Sequence, residues 1–190
     1  MANRKVSGMD LSPAIARLRA HAAPGLDPHE AAMVEDAVSF IGSHPECLWR
    51  RCLDGHLTGS AWIVSADRAW TLLTHHHKLD KWLQVGGHAD GDGDLLAVAL
   101  REAREESGLS RLRPVSEELF DFDRHRIPGR GAEPEHWHYD FRFLIEADRG
   151  EPLVISSESK DLAWVELSRV SGLNPEESMA RLVRKTLALG

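Results

Sequence analysis

The order of the predicted elements indicates an α+β fold with a mixed central β-sheet between helices. Strand-like runs come first, then an acidic amphipathic helix, further strands and a closing amphipathic helix. Strands and helices do not alternate regularly, which argues against a purely parallel sheet. At 190 residues the chain suits one domain with a helical extension.

The N-terminal part differs in pattern from the rest. Apolar residues at helical spacing predict helices over residues 10–42, broken at Pro24-Gly25. We expect residues 1–54 to form a helical N-terminal extension that serves as a cap or a dimer surface, so a homodimer is one expectation. Residues 55–190 then form the main domain.

The main domain begins with strand-like runs. HLTGSAWIVS and RAWTLLTHHH are predicted strands separated by a turn at residues 66–68, and residues 82–85 form a short strand leading into Gly86. Later strands are predicted near residues 120–125, 136–147 and 161–167, with a loop over 128–134. A C-terminal helix follows, with Asn174 as its cap and Pro175 in its first turn.

The acidic helix is predicted over residues 94–107. Asp92 and Asp94 are good N-cap residues, and Gly108 can adopt the left-handed conformation that ends a helix. A stripe of apolar residues at spacings of three and four predicts a buried face; these residues are Leu95, Leu96, Val98, Ala99 and Ala103.

Three carboxylates on this helix, Glu102, Glu105 and Glu106, fall at i, i+3 and i+4 and therefore share a face. Like charges at that spacing repel, and a hard divalent cation such as Mg²⁺ would compensate them. An acidic helix face is also common on protein surfaces. Arg101 lies four residues before Glu105 and can orient that carboxylate, or form an ordinary surface ion pair.

Composition excludes several classes of function. The 23 Lys and Arg against 30 Asp and Glu give a net charge of −7, which argues against a nucleic-acid-binding surface. No apolar run approaches the roughly 20 residues of a membrane span, and the N-terminus lacks the core of a secretion signal. Two cysteines, Cys47 and Cys52, are too few for a disulfide framework and suit the cytoplasm.

Histidines are the second notable feature. Asp123 and His125 share one strand face, and so do His136, His138 and Asp140 on the next long strand. If these strands form a hairpin, the five groups converge. Three interpretations stay open: a substrate pocket, a second metal site of histidine and carboxylate ligands, or the polar outer face of a sheet with His–Asp hydrogen bonds.

The segment from Gly86 to Leu109 resembles the signature of the Nudix hydrolases, Gly-x5-Glu-x7-Arg-Glu-x2-Glu-Glu-x-Gly. The matching positions are Gly87, Arg101, Glu102, Glu105, Glu106 and Gly108. One position departs, because Gly93 stands where the first Glu is expected. Either Asp92 or Asp94 takes over that role, or the role is missing.

The resemblance implies a Nudix-like α/β/α sandwich and a loop–helix–loop that holds Mg²⁺ or Mn²⁺ against a diphosphate. It makes Glu102, Glu105, Glu106 and the carbonyl of Gly86 the metal ligands. Glu158, six residues before Trp164, becomes a candidate base or extra ligand, and a solvated loop glutamate is the alternative.

The expected function is hydrolysis of a diphosphate linkage in a nucleotide derivative. His88 in the signature loop, His77 beside the Gly turn, Trp82, His136 and His138 are candidate substrate contacts, although Trp82 can equally be a core residue. A Nudix-fold nucleotide-binding or regulatory domain without hydrolysis is the alternative that Gly93 favours. An isoprenoid diphosphate isomerase needs an active-site cysteine near the Gly turn, and LTHHHKLDKW has none.

Overall fold

The computed structural model describes residues 10–22, 25–131 and 134–189. Pro24, predicted to break the helices, and parts of the predicted extension and of the loop over 128–134 lie outside these ranges. The helices are α1 (Ser12–His21), α2 (Pro28–Ser43), α3 (Leu95–Ser107), α4 (Val170–Leu173) and α5 (Glu177–Leu187), with a 3₁₀ turn at Leu167–Arg169. The strands are β1 (Gly55–Val64), β2 (Trp70–His76), β3 (Lys81–Leu83), β4 (Val85–His88), β5 (Arg113–Pro114), β6 (Asp121–Ile127), β7 (His136–Glu146) and β8 (Ser159–Glu166).

The eight strands form one mixed sheet, which confirms the predicted fold class. β1 lies at its centre, antiparallel to β2 and β4 and parallel to β7. β6 pairs antiparallel with β7, so that Asp123 lies opposite Asp140 and His125 opposite His138. The register therefore brings the polar positions predicted for a hairpin onto neighbouring strands.

The two faces of the sheet are covered by different helices. One face packs against α1, α2 and α3 in a single apolar cluster that includes Leu18, Val34 and Val98. The other face packs Trp62 and Leu73 against α5. Helices α1 and α2 thus belong to the same apolar core as α3 and the sheet. A domain boundary after residue 54 stays a prediction. Within the described ranges, no helix is long and apolar enough to cross a bilayer.

The ends of α3 agree with the predicted caps. The Asp94 carboxylate accepts a hydrogen bond from the Ala97 N–H at 3.1 Å, and Gly108 adopts φ 72°. The predicted cap of α5 was wrong, because Glu176 occupies that position. Asn174 instead accepts from the Glu176 N–H at 3.0 Å and donates to the Trp82 carbonyl at 2.9 Å, so it ties the preceding turn to β3.

Candidate active site

Helix α3 carries the acidic patch, which consists of Glu102, Glu105 and Glu106. Glu105 is exposed, whereas the Glu106 side chain lies in the protein with 7% of its surface exposed. The Glu106 Oε1 accepts a hydrogen bond from the Gly86 N–H at 2.8 Å. The helix and the Gly turn are therefore joined at the carboxylate that is most deeply placed.

Steric constraints explain why the signature has a glycine at position 87. A Cβ on Gly87 would lie 2.4 Å from the carboxyl carbon of Glu102, far inside van der Waals contact. Any side chain at this position would displace that carboxylate. The close approach of the Gly turn therefore holds Glu102 beside Glu106, one helical turn away.

The acidic patch has an excess of negative charge. Burial raises the pKa of Glu106 to about 7, and the charges of Glu102, Glu158 and Glu105 add to this effect. Burial also raises the pKa of Glu102, although the neighbouring Arg101 opposes the shift. Oxygen ligands with uncompensated charge are the donor set that Mg²⁺ and Mn²⁺ prefer, so these residues fit a hard divalent cation.

Arg101 does not orient Glu105, and that prediction was wrong. Its guanidinium pairs with Glu102 at 2.9 Å and donates to the His88 carbonyl at 3.1 Å. The side chain therefore reaches back along the Gly turn instead of forward along the helix. Arg101 links Glu102 to the strand that carries the turn.

Gly93 lies away from the acidic patch. The heavy atoms nearest to a Cβ built on it are the Asp10 carbonyl oxygen and a Leu48 methyl, at 3.9 and 4.0 Å. Asp94 caps α3, and the Asp92 carboxylate accepts from the Asp94 N–H at 2.9 Å. Both neighbouring carboxylates thus have local structural roles, which favours the reading that the first Glu of the signature has no substitute here.

Glu158 lies on an exposed turn at the start of β8 and acts electrostatically on both Glu102 and Glu106. Its carbonyl accepts from the His77 N–H at 2.9 Å, which attaches this turn to the end of β2. The His77 side chain is exposed. Trp82 is half-buried, stacks on His75 at 5.1 Å between ring centroids and packs on the α5 side of the sheet.

A histidine triad, His56, His136 and His138, lies on the opposite face of the sheet from α3. The Nε2 atom of His138 is 3.1 Å from that of His56 and 3.3 Å from that of His136. His56 and His136 are buried, at 2% and 4% exposure. His56 was missed by sequence reasoning, because its partners lie 80 and 82 residues further along the chain; the signal that could have found it is its position at the start of a strand.

Two more histidines border the triad. Since β4 alternates its side chains, His88 points away from Glu102, and its ring lies 5.0 Å from those of His56 and His138. Burial lowers the pKa of His88 to about 4, and it lowers that of His138 further below the ordinary value. His125 lies 5.4 Å from the His138 ring and contacts Asp123 at 3.3 Å.

The five polar groups predicted to converge are in fact divided. Asp123 and Asp140 belong to an inner ion cluster with Asp121, Arg142 and Arg181, which sequence reasoning also missed. Arg142 donates to Asp140 at 2.8 Å and to the other two carboxylates at 3.2 and 3.3 Å. Arg181 of α5 donates to Asp121 at 2.8 Å and Asp123 at 3.0 Å. The histidines therefore stand apart from most of the carboxylates.

The family model described as NUDIX domain matches residues 56–186 of the sequence. The chain belongs to the Nudix family. Membership classes it with the hydrolases that act on acid anhydrides. No curated protein matches the chain significantly.

Solved structures agree on the fold. The C. elegans Ap4A hydrolase, in a binary complex, is 19% identical over 70% of this chain and 96% of that one, with a TM-score of 0.56. The E. coli dihydroneopterin triphosphate pyrophosphohydrolase is 15% identical over 70% and 96%, with a TM-score of 0.54. The NUDIX domain of Shewanella oneidensis NrtR, complexed with ADP ribose, is 17% identical over 70% and 86%, with a TM-score of 0.51.

Proposed function

We propose that this Nudix protein is a metal-dependent hydrolase that cleaves a diphosphate linkage in a nucleoside diphosphate joined to another moiety. The observation that carries the proposal is the uncompensated acidic patch. Its deepest member, Glu106, has a pKa near 7 because it is buried beside Glu102, Glu158 and Glu105. A nucleotide phosphate brings further negative charge, so these residues require a cation to bind it.

Glu102, Glu105, Glu106 and the Gly86 carbonyl would hold Mg²⁺ or Mn²⁺. Such an ion, when bound, neutralises phosphate oxygens and lowers the pKa of a bound water. The chain's own residues set the geometry: the Gly86 N–H fixes one oxygen of Glu106, and Arg101 fixes Glu102 against the turn. Glu106 must lose its proton before it can act as a ligand.

Glu158 is proposed as the base that takes a proton from the attacking water, or as a further ligand. Its exposure and its electrostatic effect on the pKa values of Glu102 and Glu106 support this role. The pH profile of kcat distinguishes a catalytic base from a purely structural residue. We expect Glu158→Gln to lower kcat about 10²–10⁴-fold and to make the acidic limb of the pH profile less steep, because the ionisation of Glu106 still contributes to that limb.

His77, His88 and Trp82 are the proposed substrate contacts nearest in sequence to the Gly turn. His77 is exposed where the Glu158 turn meets β2, which suits a contact with phosphate. His136 and His138 were also predicted to contact substrate, and their rings contact His56 as well. We place the enzyme in the cytoplasm, which the two free cysteines support.

The test is a panel of nucleotide sugars, dinucleoside polyphosphates, nucleoside triphosphates and CoA derivatives, each with Mg²⁺ or Mn²⁺. We expect phosphate-containing products from at least one class. Glu105→Gln and Glu106→Gln should lower the rate about 10²–10⁴-fold. The matched control is Glu117→Gln, an exposed loop glutamate that should retain full activity.

Two results would overturn the proposal. Activity that survives both substitutions would remove the acidic patch from the mechanism. Binding of a nucleotide without turnover under either metal would instead support the regulatory alternative that Gly93 favours.

A further inference from the structure

The histidine triad joins two strands that are distant in sequence. His56 is the second residue of β1, and it lies in register with His138 on the parallel strand β7. His136 lies two residues before His138, so all three side chains project from the same face of the sheet. The sheet register itself therefore brings the three imidazoles together.

The spacing of the three nitrogens matches a metal centre. The Nε2 atom of His138 is 3.1 Å from that of His56 and 3.3 Å from that of His136, and the triad offers three ligand atoms that all lie within 4.8 Å of one another. A tetrahedral Zn²⁺ with Zn–N bonds of about 2.0–2.1 Å holds its ligand nitrogens about 3.3–3.4 Å apart. Both printed Nε2–Nε2 distances therefore agree with that geometry to within a few tenths of an ångström, and the third lies within the 4.8 Å bound.

In two of the three rings, the Nδ1 atom lies near a backbone carbonyl oxygen. The Nδ1 of His136 is 2.9 Å from the Pro134 carbonyl oxygen, and the Nδ1 of His56 is 3.5 Å from that of Cys52. Because a carbonyl can only accept, these two contacts favour the tautomer with its proton on Nδ1, which leaves Nε2 as the nitrogen able to bind a metal. Metal-ligating histidines in proteins have this outer hydrogen bond, which fixes both the tautomer and the ring orientation.

We propose that His56, His136 and His138 bind one divalent transition-metal ion of the zinc class through their Nε2 atoms. Imidazole nitrogens favour Zn²⁺ and its neighbours over Mg²⁺, which prefers oxygen. Three protein ligands would leave a fourth tetrahedral position for water or an anion. The ring of His88 lies 5.0 Å from the rings of His56 and His138. The ion would fasten β1 to β7, and this does not depend on hydrolysis at the acidic patch.

A hydrogen-bonded trio is the competing arrangement. In that case a proton on the His138 Nε2 is shared with the acceptor nitrogens of His56 and His136. The two arrangements differ in one measurable property, since only the metal site binds Zn²⁺ in preference to Mg²⁺.

The experiment uses the full chain without a histidine tag, stripped with a chelator and titrated with Zn²⁺ in excess Mg²⁺. We expect one tightly bound Zn²⁺ per chain and a Zn²⁺-dependent rise in Tm. His138→Asn and His136→Asn should each weaken Zn²⁺ binding more than about tenfold. His29→Asn, an exposed histidine on α2, is the matched control and should bind like the wild type.

Circular dichroism and Tm without metal show whether each variant folds, and Glu106→Gln supplies a second, independent comparison. It should keep its Zn²⁺ site while losing hydrolysis, so failure of this inference is distinguishable from failure of the proposed function. Equal Zn²⁺ binding by the wild type and both histidine variants, or displacement of Zn²⁺ by Mg²⁺, would overturn the proposal. Loss of Zn²⁺ binding in Glu106→Gln alone would show that Zn²⁺ binds at the acidic patch and not at the histidine triad.

Discussion

Two groups of buried carboxylates in this molecule have pKa values shifted in opposite directions. In the acidic patch, burial raises the pKa of Glu106 to about 7. In the inner ion cluster, burial would also raise the pKa of Asp121 and Asp123, but Arg181 and Arg142 lower both values below the ordinary range. The two groups differ in the positive charges beside the carboxylates and not in how deeply the carboxylates are buried.

The comparison separates a structural role from a functional one. The inner ion cluster contains its own cations, so its carboxylates are already satisfied and hold β6, β7 and α5 together. In the described part of the chain, the ion pair of the acidic patch is that of Glu102 with Arg101. Glu106 instead faces the acids Glu102, Glu105 and Glu158, which fits its proposed role as a metal ligand.

The largest expected effect comes from removing one of the two arginines of the inner ion cluster. Arg142→Met leaves three buried carboxylates short of a partner and should lower the free energy of unfolding by about 3–5 kcal/mol. Urea denaturation measures the change. Arg113→Met, which breaks an exposed pair with Glu146, is the control and should cost less than about 1 kcal/mol. Equal losses in the two variants would show that burial does not distinguish the pairs.

In the acidic patch, we expect removal of a charged side chain to raise the free energy of unfolding instead of lowering it. The folded pKa of Glu106, about 7, lies above its ordinary value of 4.5, so the folded state holds the proton more tightly. Stability therefore falls as pH rises from about 4.5 to 7, and the penalty is fully present above that window. Glu106→Gln should stabilise the metal-free protein by about 2–3 kcal/mol at pH 8.

At pH 4.5 the same substitution should change stability little, because Glu106 is protonated in the folded protein and half-protonated when unfolded. Thermal or urea unfolding at the two pH values measures the difference, with Glu117→Gln as control. A Glu106→Gln variant that is destabilised at pH 8 would mean that the carboxylate already has an internal partner.

A smaller effect is expected from the cation itself. At a Mg²⁺ concentration ten times its Kd, binding to the folded state alone raises the free energy of unfolding by about 1.4 kcal/mol. We expect this in the wild type and not in Glu106→Gln, as measured by urea unfolding at pH 8. Equal stabilisation of both proteins would place Mg²⁺ elsewhere.

The smallest effect concerns the carboxylates beside Gly93. Asp94→Ala removes the N-cap of α3 and should cost about 1 kcal/mol of stability. The Mg²⁺ concentration for half-maximal hydrolysis should stay that of the wild type, because Asp94 serves the helix end. A shifted Mg²⁺ requirement would instead make Asp94 the replacement for the missing glutamate.

Features that depend on local spacing could be predicted from the sequence. Helix α3, its cap Asp94, its end at Gly108 and the shared face of the three glutamates all follow from positions a few residues apart. The order of strands and helices was equally accessible from periodicity, and it indicated the mixed sheet.

Features that depend on distant partners could not be predicted in this way. His56 contacts His138, which lies 82 residues further along the chain. Arg181 donates to Asp121, which lies 60 residues before it. Arg101 has carboxylates within reach on both sides, and sequence spacing favoured Glu105 over the observed Glu102. Asn174 was assigned to the nearest helix, although its side chain donates to the carbonyl of Trp82.

Glu30 of α2 is fully buried and receives the Phe122 N–H at 3.0 Å and the Lys185 ammonium at 2.6 Å. Glu30 and Lys185 are separated by 155 residues in the sequence. The Glu30 carboxylate therefore joins α2 to both β6 and α5, and undocking of α5 would take the Lys185 partner away from a fully buried acid.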